Sequence, residues 1–138
     1  MNKRQKLQNP GFDMRVKKMS REVYNSYRRP VMDIIYMAKE WLRLEGVTLP
    51  RIELRITEQD SHTVNGVAYL GGCIIFIAED LLNTGDRNRI TRTVLHEIVH
   101  AVTGFEHKDG CALMSPVSPT RPLPPEALKP VFIEYMKS

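Results

Sequence analysis

Two histidines and a glutamate stand in a spacing that can build a metal site. His96 and His100 are four residues apart, and Glu97 directly follows the first of them. On a helix, side chains at i and i+4 share one face, so both imidazoles can reach one ion. Zinc favours imidazole nitrogen, and its catalytic sites use three protein ligands and one open position. The segment therefore predicts a zinc (Zn²⁺) site in which Glu97 acts as a general base toward water.

A third ligand is expected shortly after the helix that carries the two histidines. Gly104 is predicted to end this helix and to let the chain bend back, which brings His107 toward the first two imidazoles. Glu106 is the nearest alternative ligand, and Glu134 on the predicted last helix is a more remote one. Neutral imidazole suits zinc better than carboxylate here, so His107 is the favoured third ligand.

The longer pattern resembles the metzincin metalloproteases. It reads His96-Glu97-x-x-His100-x-x-x-Gly104-x-x-His107, followed by Cys-Ala-Leu-Met114-Ser-Pro from position 111. The text around Gly104 and Met114 is most similar to the matrixin and archaemetzincin branches, although specific motifs cover only residues 96–116. The resemblance implies that the three histidines are the ligands and that Glu97 is the general base. It also implies that Met114 forms a structural Met-turn beneath the metal.

The spacing departs from this family by one residue. Three residues, 101–103, separate His100 from Gly104, where the family normally has two. One residue fewer than in the matrixins separates the third histidine from Met114, so the overall span from His100 is kept. In strict register Glu106 occupies the third-ligand place. His107 remains the favoured ligand because it preserves the Gly-x-x-His bend.

The same resemblance implies a substrate-binding strand. In the family, the strand before the active-site helix pairs with extended substrate, and here the candidate edge strand is 66–70. An added substrate strand would fix the scissile bond over the metal. The alternative is an ordinary hairpin strand. Residues from Pro116 onward would line the pocket for the side chain after the cut. The predicted substrate contacts are Gly66, Val67, Ala68, Tyr69 and Pro116.

The elements that must position these residues follow from hydrophobic periodicity. A short helix is expected over 21–28, and a second helix is expected to begin at Pro30 and to end near Gly46. Alternation over 51–57 predicts a half-buried strand. Two apolar runs, 67–70 and 73–77, flank a Gly-Gly pair and predict a hairpin whose second strand is central.

The second half of the chain predicts two helices. One is amphipathic, begins after several N-cap candidates in 83–86, carries the histidines and ends near Gly104. The other covers 125–136. The predicted fold is α+β: a small mixed β-sheet packed on an N-terminal helix and the active-site helix, with a Met-turn and a C-terminal helix. A length of 138 residues fits one domain.

Charge divides the chain into a basic N-terminal arm, 1–20, and a single domain, 21–138. Residues 1–30 hold nine Lys or Arg against two acidic residues, a net of +7, whereas the whole chain is +4. The arm predicts a nucleic-acid or acidic partner, or simply a solvated tail. No apolar run approaches the roughly 20 residues that span a bilayer, and no secretory signal is recognisable. A cytoplasmic protein without a membrane partner is therefore expected.

These features favour a zinc metalloendopeptidase that acts on proteins or peptides. A first alternative is a metal-dependent endoribonuclease, because the bacterial endoribonucleases of rRNA maturation resemble this Gly-x-x-His pattern but typically lack the Glu beside the first His. A related alternative is a nucleic-acid-associated protease. A less favoured one is a non-enzymatic protein that zinc stabilises, in which Glu97 would have no purpose.

Overall fold

The computed structural model describes residues 18–57, 66–116 and 121–138. The predicted α+β class is confirmed: the described part contains four helices and a small mixed sheet of three strands. In chain order the elements are α1 (Arg21–Arg43), β1 (Glu53–Thr57), β2 (Gly66–Ala68), β3 (Ile74–Ala78), α2 (Glu79–Asn83), α3 (Arg87–Thr103) and α4 (Pro125–Lys137). The basic arm lies almost entirely outside the described residues, and α1 begins where the arm was predicted to end.

The N-terminal region is one helix, so the prediction of two helices with a start at Pro30 is wrong. Ser20 caps α1 by accepting a hydrogen bond from the backbone N–H of Val23, and the helix continues through Pro30 to Arg43. A proline inside a helix removes one backbone hydrogen bond. The loss is offset because the apolar face after Pro30 is buried in the core. That face consists of Val31, Ile34, Ile35, Ala38 and Leu42.

The sheet has the order β1-β3-β2. Strand β3 pairs in parallel with β1 and antiparallel with β2, so the prediction that it is central is confirmed. Strand β2 is shorter than predicted and ends at Ala68, after which Tyr69 still donates its N–H to the carbonyl of Ile74 at 3.2 Å. Among the described strands, β2 and β3 form a hairpin, whereas β1 pairs with β3 in parallel.

The hairpin turn between β2 and β3 is anchored to the end of α3. The N–H of Gly71 donates to the carbonyl of His100 at 3.0 Å, and the N–H of Cys73 donates to Ala101 at 2.9 Å. Gly71 adopts a φ of +73° and Cys73 one of +57°, which turns both amides toward the helix. The Cys73 bond satisfies a carbonyl at the helix end, and the Gly71 bond adds a second donor to the His100 carbonyl, which also accepts from the N–H of Gly104. Together they fix the sheet to the histidine-bearing helix.

Helix α3 has the boundaries that the sequence predicts. The side chain of Asp86 accepts from the N–H of Arg89 at the N-cap, and Gly104 ends the helix with a φ of +77°. The short helix α2 was not predicted, because five residues are too few to show a helical period.

Helix α3 is the centre of the fold. Residues Ile90 to Ala101 are all buried, because α1, α4, β2 and β3 pack around the helix. The predicted amphipathic pattern is therefore not matched by an exposed face over this stretch. The polar side chains of this stretch lie in the interior, where buried polar groups normally need hydrogen-bond partners.

Helix α4 closes the core. It covers the predicted range and one residue more, with Leu128 and Phe132 fully buried. The ring of Phe132 contacts the Trp41 ring of α1 edge-on, with centroids 6.2 Å apart. In the part of the chain that the structure describes, no helix combines the length and apolarity needed to cross a membrane.

Candidate metal centre

The imidazoles of His96 and His100 converge on one point. Both side chains project from the same face of α3, and their Nε2 atoms are 3.1 Å apart. Two nitrogens bound to one tetrahedral ion at about 2.05 Å lie roughly 3.3 Å apart, so the observed separation suits a shared ion. His96 is 4% exposed and His100 is not exposed at all.

The other ring nitrogen of each histidine fixes its tautomer. The Nδ1 of His96 lies 2.6 Å from the carbonyl oxygen of Leu113, and the Nδ1 of His100 lies 2.5 Å from that of Phe105. A carbonyl oxygen only accepts, so each Nδ1 must carry the proton and donate it. Both Nε2 atoms are then unprotonated, and their lone pairs face each other. A cation between them removes this repulsion, and a carbonyl behind each ring is the usual support of a histidine ligand.

His107 completes the cluster as predicted. One ligand atom from each of the three histidines lies within 4.8 Å of the other two. The ring centroid of His107 is 5.1 Å from that of His96 and 4.8 Å from that of His100. Among the residues that the structure describes, Glu106 and Glu134 do not belong to this group. His107 is exposed, so the site opens to solvent on its side.

The environment holds all three imidazoles neutral. Burial, together with the neighbouring His100, lowers the pKa of His96 to about 3. Burial also lowers the pKa of His100 to about 4. The pKa of His107 is lowered as well, chiefly by desolvation and then by the charge of Arg92. Only the neutral ring offers a lone pair, so these shifts keep the ligand set ready for a metal near neutral pH.

Glu97 is a buried carboxyl group of α3 that directly follows the first histidine of the cluster in sequence. It is 2% exposed, and within residues 18–57, 66–116 and 121–138 its Oε1 has no hydrogen-bond partner. Burial raises the pKa of Glu97 to about 8, although the nearby charge of Arg92 acts in the opposite direction. An unpaired buried carboxyl oxygen is costly and is usually kept for a ligand, an ion or water. The donor set and this orphaned oxygen together fit a metal centre with a neighbouring general base.

Gly66 allows the sheet to approach Glu97 closely. A β-carbon added at Gly66 would lie 3.2 Å from the Cγ of Glu97, 3.2 Å from the Cγ2 of Thr93 and 3.0 Å from the carbonyl oxygen of Phe76. Any larger residue would therefore force Phe76, Thr93 or Glu97 to shift, and glycine avoids this crowding. The predicted site residue Gly66 shapes the space that holds Glu97.

The predicted Met-turn lies against the first ligand. Met114 is fully buried in the turn that follows residue 111, and its carbonyl accepts a hydrogen bond from the N–H of Lys108 at 2.9 Å. The preceding carbonyl, that of Leu113, accepts the hydrogen bond from the Nδ1–H of His96. The turn thus connects the loop of His107 with the ring of His96.

Arg92 is a residue of the site that the sequence reasoning missed. It is 4% exposed and donates from Nη2 to the carbonyl of Ser115 at 2.8 Å and from Nε to that of Ala112 at 3.3 Å. These bonds flank Leu113, so Arg92 holds the turn that supports His96. Its spacing could have identified it, because Arg92 lies four residues before His96 and therefore on the same face of the helix.

The remaining predicted substrate contacts lie at different depths. Val67 and Ala68 are buried in β2, and the half-buried Tyr69 packs edge-on against Phe76, with ring centroids 5.7 Å apart. Pro116 is exposed at the end of a described stretch. Strand β2 lies at one side of the described sheet, next to α3. Pairing of substrate with this strand stays a prediction.

Comparisons with protein-family models, with curated proteins and with solved structures found no match to this chain. The likeness to metzincins therefore remains one of motif, and the function must be argued from the site itself.

Proposed function

We propose that this chain is a zinc-dependent metalloendopeptidase in which His96, His100 and His107 hold the ion and Glu97 is the general base. The observation that carries the proposal is the convergence of three neutral imidazoles on one point. It is joined by a buried carboxyl group directly after the first ligand, whose Oε1 has no hydrogen-bond partner among the described residues. A catalytic zinc site needs three protein ligands and an open position, and exposed His107 leaves the cluster accessible from solvent.

When bound, zinc supplies a Lewis acid that polarises a carbonyl oxygen and makes water more acidic. The three imidazoles supply neutral ligand atoms, and the Leu113 and Phe105 carbonyls orient two of them. Because those rings are buried and hydrogen-bonded, they need little reorganisation to bind the ion.

Glu97 accepts the proton of the attacking water and passes it to the leaving amine. In the metal-free chain its raised pKa favours the protonated form near neutral pH. A positive charge held by the adjacent imidazoles favours the carboxylate, which is the form that can act as base. Burial opposes this effect by raising the pKa of the carboxyl group, which favours return of the proton to the leaving amine.

Extended peptide is the proposed substrate. The Glu beside the first His supports peptide hydrolysis, because this reaction takes a proton from water and returns one to a leaving amine, and Glu97 is the group proposed for both transfers. The backbone of β2 is the proposed partner of the substrate backbone, which would form an added strand. Gly66 brings β2 into contact with Glu97, so a peptide aligned on this strand would pass close to the base.

One alternative function is metal-dependent cleavage of RNA. A related alternative is peptide cleavage by a protease that binds nucleic acid. Both are supported by the net charge of +7 on residues 1–30. A purely structural zinc site is disfavoured, because a structural site gains nothing from a buried carboxyl group whose oxygen lacks a partner.

A peptide-library assay tests the proposal. Zinc-loaded full chain, the Glu97→Gln variant and a Glu106→Gln control are each incubated with mixed peptides and with structured and single-stranded RNA. We expect cleavage of peptides by the full chain and by the control, and a loss of about a thousandfold or more in Glu97→Gln with its zinc retained. Cleavage of RNA alone, or equal activity in Glu97→Gln, would refute the proposal.

A further inference from the structure

A trough beside α1 has the properties of a peptide-binding surface. It has a volume of about 520 Å³ and runs between α1 and the extended segment 49–54. Its lining residues do not overlap with the histidine cluster. The trough is therefore separate from the candidate metal centre.

One wall of the trough is a face of α1. Residues 24, 28, 32, 36 and 39 line it, with the spacing of one helical stripe. Arg28, Tyr36 and Lys39 in this stripe are exposed, and Tyr36 exposes 59% of its surface. This stripe lies beside the buried apolar face of the same helix, so the trough borders the core directly.

The floor of the trough is apolar. Ile35, Leu49, Ile52 and Leu54 line it, and they retain 5%, 6%, 9% and 8% exposure. Most other core side chains are at 0 or 1%. The residual exposure of these four residues therefore marks the place where the core reaches the surface. Apolar side chains of a ligand can be buried there.

The other wall is the outward edge of a β-strand. Strand β1 is at the end of the described sheet, and the N–H of Glu53 donates inward to the carbonyl of Cys73 at 2.9 Å. Alternate residues of a strand turn their backbone groups to opposite sides, so those of Ile52 and Leu54 face the trough. The hydroxyl of Tyr24 donates to the carbonyl of Leu54 at 3.3 Å from this side, which agrees with this direction. That carbonyl is therefore engaged by α1, and the groups offered to a ligand are the N–H of Leu54 and the backbone of Ile52.

The rim of the trough is basic. Arg28, Lys39 and Arg51 line it against one carboxylate, Glu53, which the guanidinium of Arg55 already engages. Three positive charges against one negative leave a net of +2. An outward strand edge combined with an apolar floor fits a peptide, which pairs through its backbone and buries alternate side chains. Residues 1–17 carry five Lys or Arg and one Asp, the same sign as the rim, which favours an external acidic segment.

We propose that this trough binds an extended acidic segment of a partner protein. The segment adds to the outer edge of β1, places its apolar side chains over Ile52 and Leu54, and sets its carboxylates against the basic rim. The attraction between the charges speeds association and weakens with salt.

Fluorescence anisotropy of the full chain with a labelled peptide of alternating Glu and Leu tests this surface. The comparison ligands are the same peptide with Lys in place of Glu, the acidic peptide N-methylated at alternate residues, and a single-stranded oligonucleotide. The protein variants are Lys39→Glu with Arg51→Glu, and the control Arg87→Glu, which reverses an exposed charge on the first turn of α3.

We expect the acidic peptide to bind and the double variant to weaken its Kd by about tenfold or more. The control should bind as the unaltered chain does, and either Lys substitution or N-methylation of the peptide should abolish binding. Tighter binding of the oligonucleotide at the same site would overturn the proposal in favour of a nucleic-acid surface. Equal binding by the double variant, absence of peptide binding, or self-association through this face in light scattering would also overturn it.

Discussion

The Nη2 atom of Arg92 lies 2.8 Å from the carbonyl oxygen of Ser115, so the helix that carries His96 also holds the turn that orients His96. The neighbouring carbonyl of Leu113 receives the His96 Nδ1 proton at 2.6 Å. Removing the guanidinium should therefore loosen a support of the metal centre, although Arg92 does not point a ligand atom at the cluster.

The first prediction concerns this support. Arg92→Met leaves buried carbonyls without their donor, and we expect a loss of about 1–3 kcal/mol in the free energy of unfolding. The affinity for zinc should fall about 10- to 100-fold. Competition with a chromogenic chelator measures the zinc affinity, and thermal unfolding measures stability. Arg89→Met is the control, because it removes a partly exposed charge three residues earlier on the same helix. Unchanged zinc affinity in Arg92→Met would argue against the support.

The second prediction concerns metal removal. Without an ion, two bare Nε2 lone pairs remain 3.1 Å apart in the interior, which destabilises the folded chain. Free zinc at about 1,000 times its Kd adds about 4 kcal/mol to the free energy of unfolding. This corresponds to a rise in Tm of roughly 10 °C. Calorimetry with and without a chelator measures the shift, and an identical Tm in both conditions would contradict the prediction.

The third prediction concerns the glycine next to the general base. Gly66→Ala places a methyl group 3.2 Å from the Cγ of Glu97 and 3.0 Å from the carbonyl oxygen of Phe76. We expect a loss of about 1–3 kcal/mol from overpacking, together with reduced activity. Thr93→Ser removes another contact of that methyl, so combining it with Gly66→Ala should restore part of the stability. Unchanged stability of Gly66→Ala would show that a methyl group fits beside Glu97 and Phe76 without strain.

The fourth prediction concerns pH in the metal-free protein. The pKa of Glu97 is raised from 4.5 to about 8, so between these values the folded chain holds a proton that the unfolded chain has lost. The free energy of unfolding therefore falls as pH rises through this window. The pKa values of His96 and His100 are lowered from 6.5 to about 3 and about 4, so here the unfolded chain binds more protons. Their effect lowers stability as the pH drops below 6.5.

These opposing effects place the highest stability of the chelated protein near pH 6.5. Thermal unfolding between pH 4 and 9 measures this maximum. The Glu97→Gln variant should lose the decline on the alkaline side and keep the decline on the acidic side. A decline above pH 6.5 that persists unchanged in this variant would mean that another group is responsible.

Local patterns in the sequence predicted much of the fold. The ends of α3 follow from Asp86 and Gly104, because a side-chain cap and a left-handed glycine act within a few residues. The central place of β3 follows from its unbroken apolar run. The residues around Pro30 do not by themselves predict that α1 continues through the proline. This continuation depends on the apolar residues after the proline, whose burial against other elements offsets the missing hydrogen bond.

The ligands of the candidate site were predictable, but their supports were not. His96 and His100 are set by helical spacing, and His107 by the bend at Gly104. The contacts of Arg92 with residues 112 and 115 join positions 20 and 23 residues apart, which no helical or strand period connects. The contact of Gly66 with Glu97 likewise depends on how the sheet packs on α3.

Zinc content per chain tests the central claim most directly. After dialysis against a weak chelator, elemental analysis should find one zinc per chain in the unaltered protein and in the Glu106→Ala control. The His100→Ala variant should retain none, and His107→Ala should bind zinc at least a hundredfold more weakly, because each removes one corner of a three-ligand site. Unaltered protein without zinc, or full zinc retention in His100→Ala, would contradict the proposal that these three imidazoles hold the ion.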